Sequence, residues 1–244
     1  MPWDFWLIFF VLGVLLPWRG HLRLKKLLAL PQMSSRERFL LYLSTITFQW
    51  VAVAITAWRA WARGLTLEEL GLLVHGPGRI LLVALAGAGV LGGLQWLNLR
   101  RMGRSSGKAR EFMQTLAERI FPQSRNELAV FLALAVTAGL CEEFLYRGFA
   151  MAALTRAGLP PWGVVLLSSV LFGLAHLYQG RGGLMSTLII GTVFGTARIA
   201  YDGLLPAIVW HFAVDAVAGL AGPRYLLSYH SPTAETAKDS SAGF

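Results

Sequence analysis

Seven apolar runs constrain this chain more than any other feature: about 3–18, 39–58, 80–97, 128–154, 162–178, 184–200 and 204–222. Most come close to the roughly 20 residues a helix needs to cross a hydrocarbon core. Lipid offers the backbone no hydrogen-bond partners, so a spanning segment must satisfy its own, as a helix does. Of 244 residues, 55% are hydrophobic and 14% charged, too apolar a balance for an ordinary soluble domain. The expectation is an all-α, polytopic transmembrane helix bundle of seven helices, with eight allowed.

The net charge of +9 is carried between the apolar runs, at Arg19, Arg23, Lys25, Lys26, Arg36 and Arg38 and again at Arg100, Arg101, Arg104, Lys108 and Arg110. Such clusters beside membrane spans read as cytoplasmic anchors. No aromatic–basic surface motif accompanies them, so nucleic acid is excluded as a partner and the bilayer is the expected one. The segment 19–38 then reads as a cytoplasmic loop, the nearly balanced 59–79 as an outer loop and 99–126 as a second cytoplasmic one. Strict alternation over seven helices places the N-terminus outside a plasma membrane of bacterial type and the C-terminus in the cytoplasm. Trp3, Trp6 and Trp18 mark the ends of the first run, which lacks a small-residue cleavage site and reads as a retained helix.

Three parts are expected. Residues 1–126 hold N-terminal transmembrane helices with basic loops, 127–222 a transmembrane core, and 223–244 a polar tail whose composition over 231–244 reads as disordered. Within 110–121, apolar residues at 112, 113, 116, 117, 120 and 121 have helical spacing and fit an interfacial amphipathic helix or a short helix capping the bundle. Gly191 and Gly195 stand in GxxxG spacing, which lets two helices approach closely. A single cysteine, Cys141, excludes an intramolecular disulfide. It reads as a small buried hydrophobe, since adjacent carboxylates disfavour a thiolate nucleophile.

Those carboxylates are the chemistry. Glu142, Glu143 and Arg147 lie on the fourth run, His176 on the fifth, and His211 with Asp215 on the seventh. Charges in a bilayer are costly, so they pair, face a bundle interior or line a water-filled site. Glu143 and Arg147 are i,i+4 neighbours and can pair, whereas Glu142 is rotated by about 100° and left free. His211 and Asp215 share a helix face by the same spacing. A free carboxylate with an imidazole can hold and deprotonate a water, and a second imidazole can face the oxygen of a carbonyl under attack, which describes peptide hydrolysis. The runs leave one mismatch: Glu142 falls mid-run and His176 near a run's end, which broken, tilted or re-entrant helices would reconcile. His21, His75 and His230 read as solvated.

Glu142-Glu143-x-x-x-Arg147, Phe172-x-x-x-His176 and His211-x-x-x-Asp215, in that order over about 127–222, resemble the three motifs of the CAAX prenyl protease and bacteriocin-processing family, the type II CAAX endopeptidases. The resemblance implies an intramembrane endopeptidase that needs no metal and acts on a membrane-associated peptide or protein, which can be lipidated. It implies Glu142 as the base, His176 as its partner, His211 as a donor on the oxyanion side, and Glu143 and Arg147 in support. The third motif departs from the family's common asparagine. Asp215 either stays protonated, orients His211 as an acceptor, or signals weakened catalysis. Competing readings are a zinc-dependent metalloprotease using Glu142, His176, His211 and Asp215, a non-catalytic scaffold or immunity protein of the same fold, and a proton-coupled transporter with Glu142 as relay.

Overall fold

In the computed structural model, which describes residues 1–74 and 76–227, the chain is helical throughout and forms eight helices among the described residues. They are α1 Trp3–Ala29, α2 Ser35–Ala62 and α3 Pro77–Arg104, α4 Lys108–Ile120, α5 Arg125–Arg156, α6 Pro161–Ala175, α7 Leu177–Ala200 and α8 Leu205–Leu226. All but α4 and α6 are long and apolar enough to cross a membrane. Large apolar side chains such as Leu82, Val90, Trp162 and Ile189 stand exposed on the outside of the bundle. This is a multi-pass membrane protein.

Helix boundaries follow local chemistry. Ser34 opens α2 with a capping box, its hydroxyl accepting from the Glu37 N–H at 3.3 Å while the Glu37 carboxylate accepts from the Ser34 N–H at 2.7 Å. Ser124 caps α5 through the Glu127 N–H at 3.2 Å. Proline stands at the first helical position of α3 and α6, where its missing N–H costs nothing.

Several boundaries differ from the expectation. The basic segment 19–38 is not a loop: α1 continues through Arg19, His21, Arg23, Lys25 and Lys26 to Ala29, because arginine, leucine and lysine are good helix formers once the chain has left the hydrocarbon. Arg38 is buried, with Nε 2.8 Å from the Glu127 carboxylate, so it joins the starts of α2 and α5 instead of standing in water. Helix α3 likewise runs on to Arg104, and α4 covers the amphipathic stretch. Arg119 of α4 donates to the carbonyls of Leu30 and Pro31 at 2.8 and 3.0 Å, which fastens the amphipathic helix to the α1–α2 turn. Helix α8 passes residue 223 and ends at Leu226, with Pro223 inside it. The expected disorder over 231–244, together with His75 and His230, lies outside the described residues.

At the other end of the bundle, Asp4 of α1 meets Arg59 of α2 and Arg63 just past its end, with Nε atoms at 2.8 and 3.0 Å. Beside them, the segment between α2 and α3 folds inward: Leu65 and Leu70 are buried, and the Leu204 N–H donates to the Gly71 carbonyl at 2.9 Å. Gly71 has φ +68°, and a Cβ there would stand 2.2 Å from Nε of Arg198, whose guanidinium donates to the carbonyls of Glu68 and Glu69 at 3.3 and 3.0 Å. Glu69 in turn accepts from Arg156 at 2.6 and 2.7 Å and from the Thr66 N–H at 2.8 Å; these donors, Arg156 foremost, hold its carboxyl at about 2.

Candidate active site

Glu142 lies 14 residues before Arg156, and His176 lies 15 residues after Pro161. Because α5 and α6 meet at the turn between Arg156 and Pro161, nearly equal counts from that turn bring the two side chains to similar depth. The mismatch in the apolar runs disappears because α5, at 32 residues, is longer than its span requires and its run's midpoint is not the membrane's. His211 arrives by a different route. The inward fold of Gly71 holds the start of α8 below the end of the bundle, so a residue only six positions past Leu205 reaches the level of Glu143.

Immediately after the paired glutamates, α5 widens to a π-helical segment over Phe144–Ala150, every residue of which is buried. Such local widening is common at functional sites. Glu143 and Arg147 are both fully buried, with Nη1 of Arg147 at 3.1 Å from Oε1 of Glu143. The second guanidinium nitrogen donates to the Gly191 carbonyl at 3.1 Å, and the guanidinium carbon sits 4.2 Å from the centre of the Phe172 ring. Gly191 is therefore a close approach of α7: a Cβ there would come within 3.1 Å of Arg147 Nη2. The GxxxG pair packs as its spacing suggests, Gly195 fitting against Val165 of α6.

One amide and two imidazoles surround the Glu142 carboxylate. Its Oε1 accepts a hydrogen bond from Gln49 Nε2 of α2 at 2.6 Å. Its Oε2 is buried without a hydrogen-bond partner and stands 3.9 Å from His176 Nε2 and 4.0 Å from His211 Nε2. The Phe172 carbonyl lies 2.9 Å from His176 Nδ1, and since a carbonyl only accepts, Nδ1 carries the proton and Nε2 presents a lone pair toward Glu142. His211 Nδ1 stands 2.8 Å from Glu143 Oε1, the oxygen that also takes Arg147, so here too Nδ1 donates. His211 Nε2 faces Glu142 and Asp215, the latter at 3.7 Å, too long for a hydrogen bond. The residue that orients the His211 ring is thus Glu143, and the alternative in which Asp215 holds it by a hydrogen bond is not the geometry found.

Glu142 and His176 line a cavity of about 250 Å³ whose remaining wall comes mainly from α1, α2 and α4, with Leu134, Leu145 and Tyr146 of α5, Ala175 and Tyr178 completing it; it is mostly apolar, with Arg19, Arg23 and Gln49 among its polar groups. Cys141 is buried and free. No group of three or more His, Cys, Asp or Glu with metal-holding geometry occurs among the described residues.

Gln49 was not singled out from the sequence. Its signal was there: one amide in the middle of an apolar run, a polar group that has to find a partner across the bundle.

The fold and this buried polar site define a multi-pass membrane protein that encloses a cluster of carboxylates, imidazoles and an arginine. Residues 124–217 match the family described as Type II CAAX prenyl endopeptidase Rce1-like, and Glu142, Glu143, Arg147, His176, His211 and Asp215 all fall inside the match. The match supports a membrane protease at the level of the family; Gln49, Arg19 and Arg23 lie outside it. Neither a curated protein nor a solved structure gives a significant match to the chain.

Proposed function

We propose that this protein is an intramembrane endopeptidase that hydrolyses a peptide bond of a membrane-associated peptide or protein with water activated by Glu142 and His176. The observation that carries the reading is the unpartnered Glu142 Oε2, buried on a cavity wall and facing two imidazole Nε2 atoms at 3.9 and 4.0 Å. Those separations exceed a direct hydrogen bond and suit groups that share one small polar molecule.

A water there donates one hydrogen to Glu142 Oε2 and the other to the lone pair of His176 Nε2, which leaves an oxygen lone pair for a carbonyl carbon. Glu142 takes the proton as the oxygen adds. The carbonyl oxygen gathers negative charge and is met by the Nε2–H of a protonated His211, whose Nδ1–H donates to Glu143 on the far side of the ring. Collapse breaks the C–N bond, and the departing amine takes the proton back from Glu142, which balances the reaction as acid plus amine. Gln49 holds Oε1, so that Oε2 is the oxygen free to act. Arg147 holds the Glu143 carboxylate in place. The residues act without a metal in this scheme.

The basic ends of α1, α2 and α3 face the cytoplasm, with Asp4 and the Gly71 segment on the outer side. The test is cleavage of lipidated and unlipidated peptides by detergent-purified protein, with and without a chelator, beside a Glu142→Gln control. Chelator-resistant cleavage that the control lacks supports the reading; cleavage that persists in Glu142→Gln, or that a chelator abolishes, overturns it.

A further inference from the structure

Two arginines stand on the wall of the Glu142 cavity with no acid to answer them. Arg19 and Arg23 are one turn apart on α1 and both line the cavity, yet none of the ion pairs among the described residues includes either. Their contacts are to neutral groups. Arg23 donates to the hydroxyls of Thr45 and Ser44 at 3.0 and 2.7 Å, and the Arg19 guanidinium lies 3.9 Å from the centre of the Phe48 ring. Like charges at i,i+4 repel, and these two are held on one cavity face by partners that position without neutralising. Arg19, Lys25 and Lys26 are exposed and Arg23 is half-buried, but only the two arginines are held by contacts to α2; the lysines, whose charges are free to roam, suit an anchor to anionic lipid.

The turn between the arginines also places them near the chemistry. A Cβ at Gly20 would meet the Tyr178 ring at 3.6 Å and the Ala175 carbonyl at 3.8 Å, so this stretch of α1 packs against the residues on either side of His176. Any group held by Arg19 and Arg23 is therefore part of whatever occupies the space before Glu142.

We infer that Arg19 and Arg23 form a carboxylate subsite that selects peptide substrates carrying a negative charge near the scissile bond, supplied by the chain terminus or by an acidic side chain. The inference rests on the peptidase reading, which tells which molecule enters the cavity. A planar guanidinium presents a fork of donors to a carboxylate, and the second arginine relieves its repulsion when the anion arrives.

Binding separates this inference from turnover. A peptide library made in matched forms, with a free C-terminal carboxylate, with a C-terminal amide, and with an added glutamate on the amide form, is applied to purified Glu142→Gln protein in zwitterionic nanodiscs. Retention of carboxylate-bearing peptides over neutral ones by about tenfold is expected, the scale of one charge-assisted hydrogen bond. The comparison of free-acid and glutamate forms tells which source is used. Adding Arg19→Gln and Arg23→Gln should bring that ratio to about one, and Arg19→Lys with Arg23→Lys should restore part of it while controlling for folding. Equal retention of all forms by the parent, or an undiminished ratio in the glutamine variant, overturns the subsite. So does a ratio unchanged while binding to phosphatidylglycerol nanodiscs falls, which would assign the arginines to lipid. Failure of the unmutated protein to cleave the retained peptides would strike the peptidase reading instead and leave the carboxylate preference standing.

Discussion

His211 Nδ1 and Arg147 Nη1 converge on one oxygen, Oε1 of Glu143, at 2.8 and 3.1 Å, so a single carboxylate ties α8 to the ion pair within α5. The second glutamate of the motif thereby works on two neighbours at once, while the first keeps one oxygen unengaged.

Glu143→Gln should damage both stability and turnover. The amide leaves a fully buried Arg147 without its counter-charge, a change that costs about 3–5 kcal/mol when a buried pair is broken, and it removes the charge behind the His211 ring. Thermal unfolding in detergent and peptide hydrolysis should fall together; a variant with the parent's melting temperature would show that the pair contributes no net stability.

Gln49→Ala should spare the fold and lower kcat by about 10- to 100-fold, the scale of a hydrogen bond to a charged group. Without the amide, Glu142 Oε1 becomes a second basic oxygen and the carboxylate loses its fixed orientation. Steady-state kinetics with a melting control decides it: a loss in KM alone would place Gln49 in binding and not in positioning.

Asp215→Asn should change kcat by less than about tenfold, well below the loss from His211→Ala, because His211 is already held at Nδ1 by Glu143 and Asp215 stands 3.7 Å from the other nitrogen. Parallel kinetics on the two variants checks the order. An Asp215→Asn loss as large as that of His211→Ala would make the aspartate part of the reacting constellation.

Gly191→Ala should lower the melting temperature by an amount equivalent to about 1–3 kcal/mol, the usual cost of overpacking. Its methyl group would crowd Arg147 Nη2 at 3.1 Å and push α7 from the ion pair. Gly89→Ala meets nothing within 4 Å and serves as the neutral comparison.

The Glu69–Arg156 pair gives the end of the bundle that carries Asp4 a defined acid dependence. Glu69 is held at about 2, below the ordinary carboxylate value of 4.5, so its contribution is complete above pH 4.5 and fades as the pH falls from there through about 2. The gap in melting temperature between the parent and Glu69→Gln should therefore be largest at neutral pH and close on acidification. A gap that widens at low pH would reverse the sign. The effect is small, because both side chains are more than a third exposed or close to it and solvent screens them.

How far these relationships were legible depends on whether they run along one helix or between two. The Glu143–Arg147 pair, the freedom of Glu142 and the helical 110–121 stretch are matters of spacing, and a single periodicity reads them. The three motif helices and their order were readable for the same reason. The hydrogen bonds Gln49–Glu142 and Glu143–His211 join residues far apart in the chain and depend on helix rotation and depth, which hydropathy does not carry. Depth was misjudged because an apolar run marks what lipid touches, whereas α1 and α3 extend as helices beyond that layer into sequence rich in arginine and lysine, and α5 at 32 residues is longer than a span requires.

The cavity described above takes its reacting groups from α5 and α6 and much of its wall from α1, α2 and α4, helices that lie before residue 124. Chemistry and shape are thus written in separate halves of the polypeptide. On the proposed reading, substitutions in that first half other than at Gln49 can redraw what fits without disturbing the groups around Glu142, and grafting the half from one such protein to another with Gln49 retained is a direct way to transfer substrate preference.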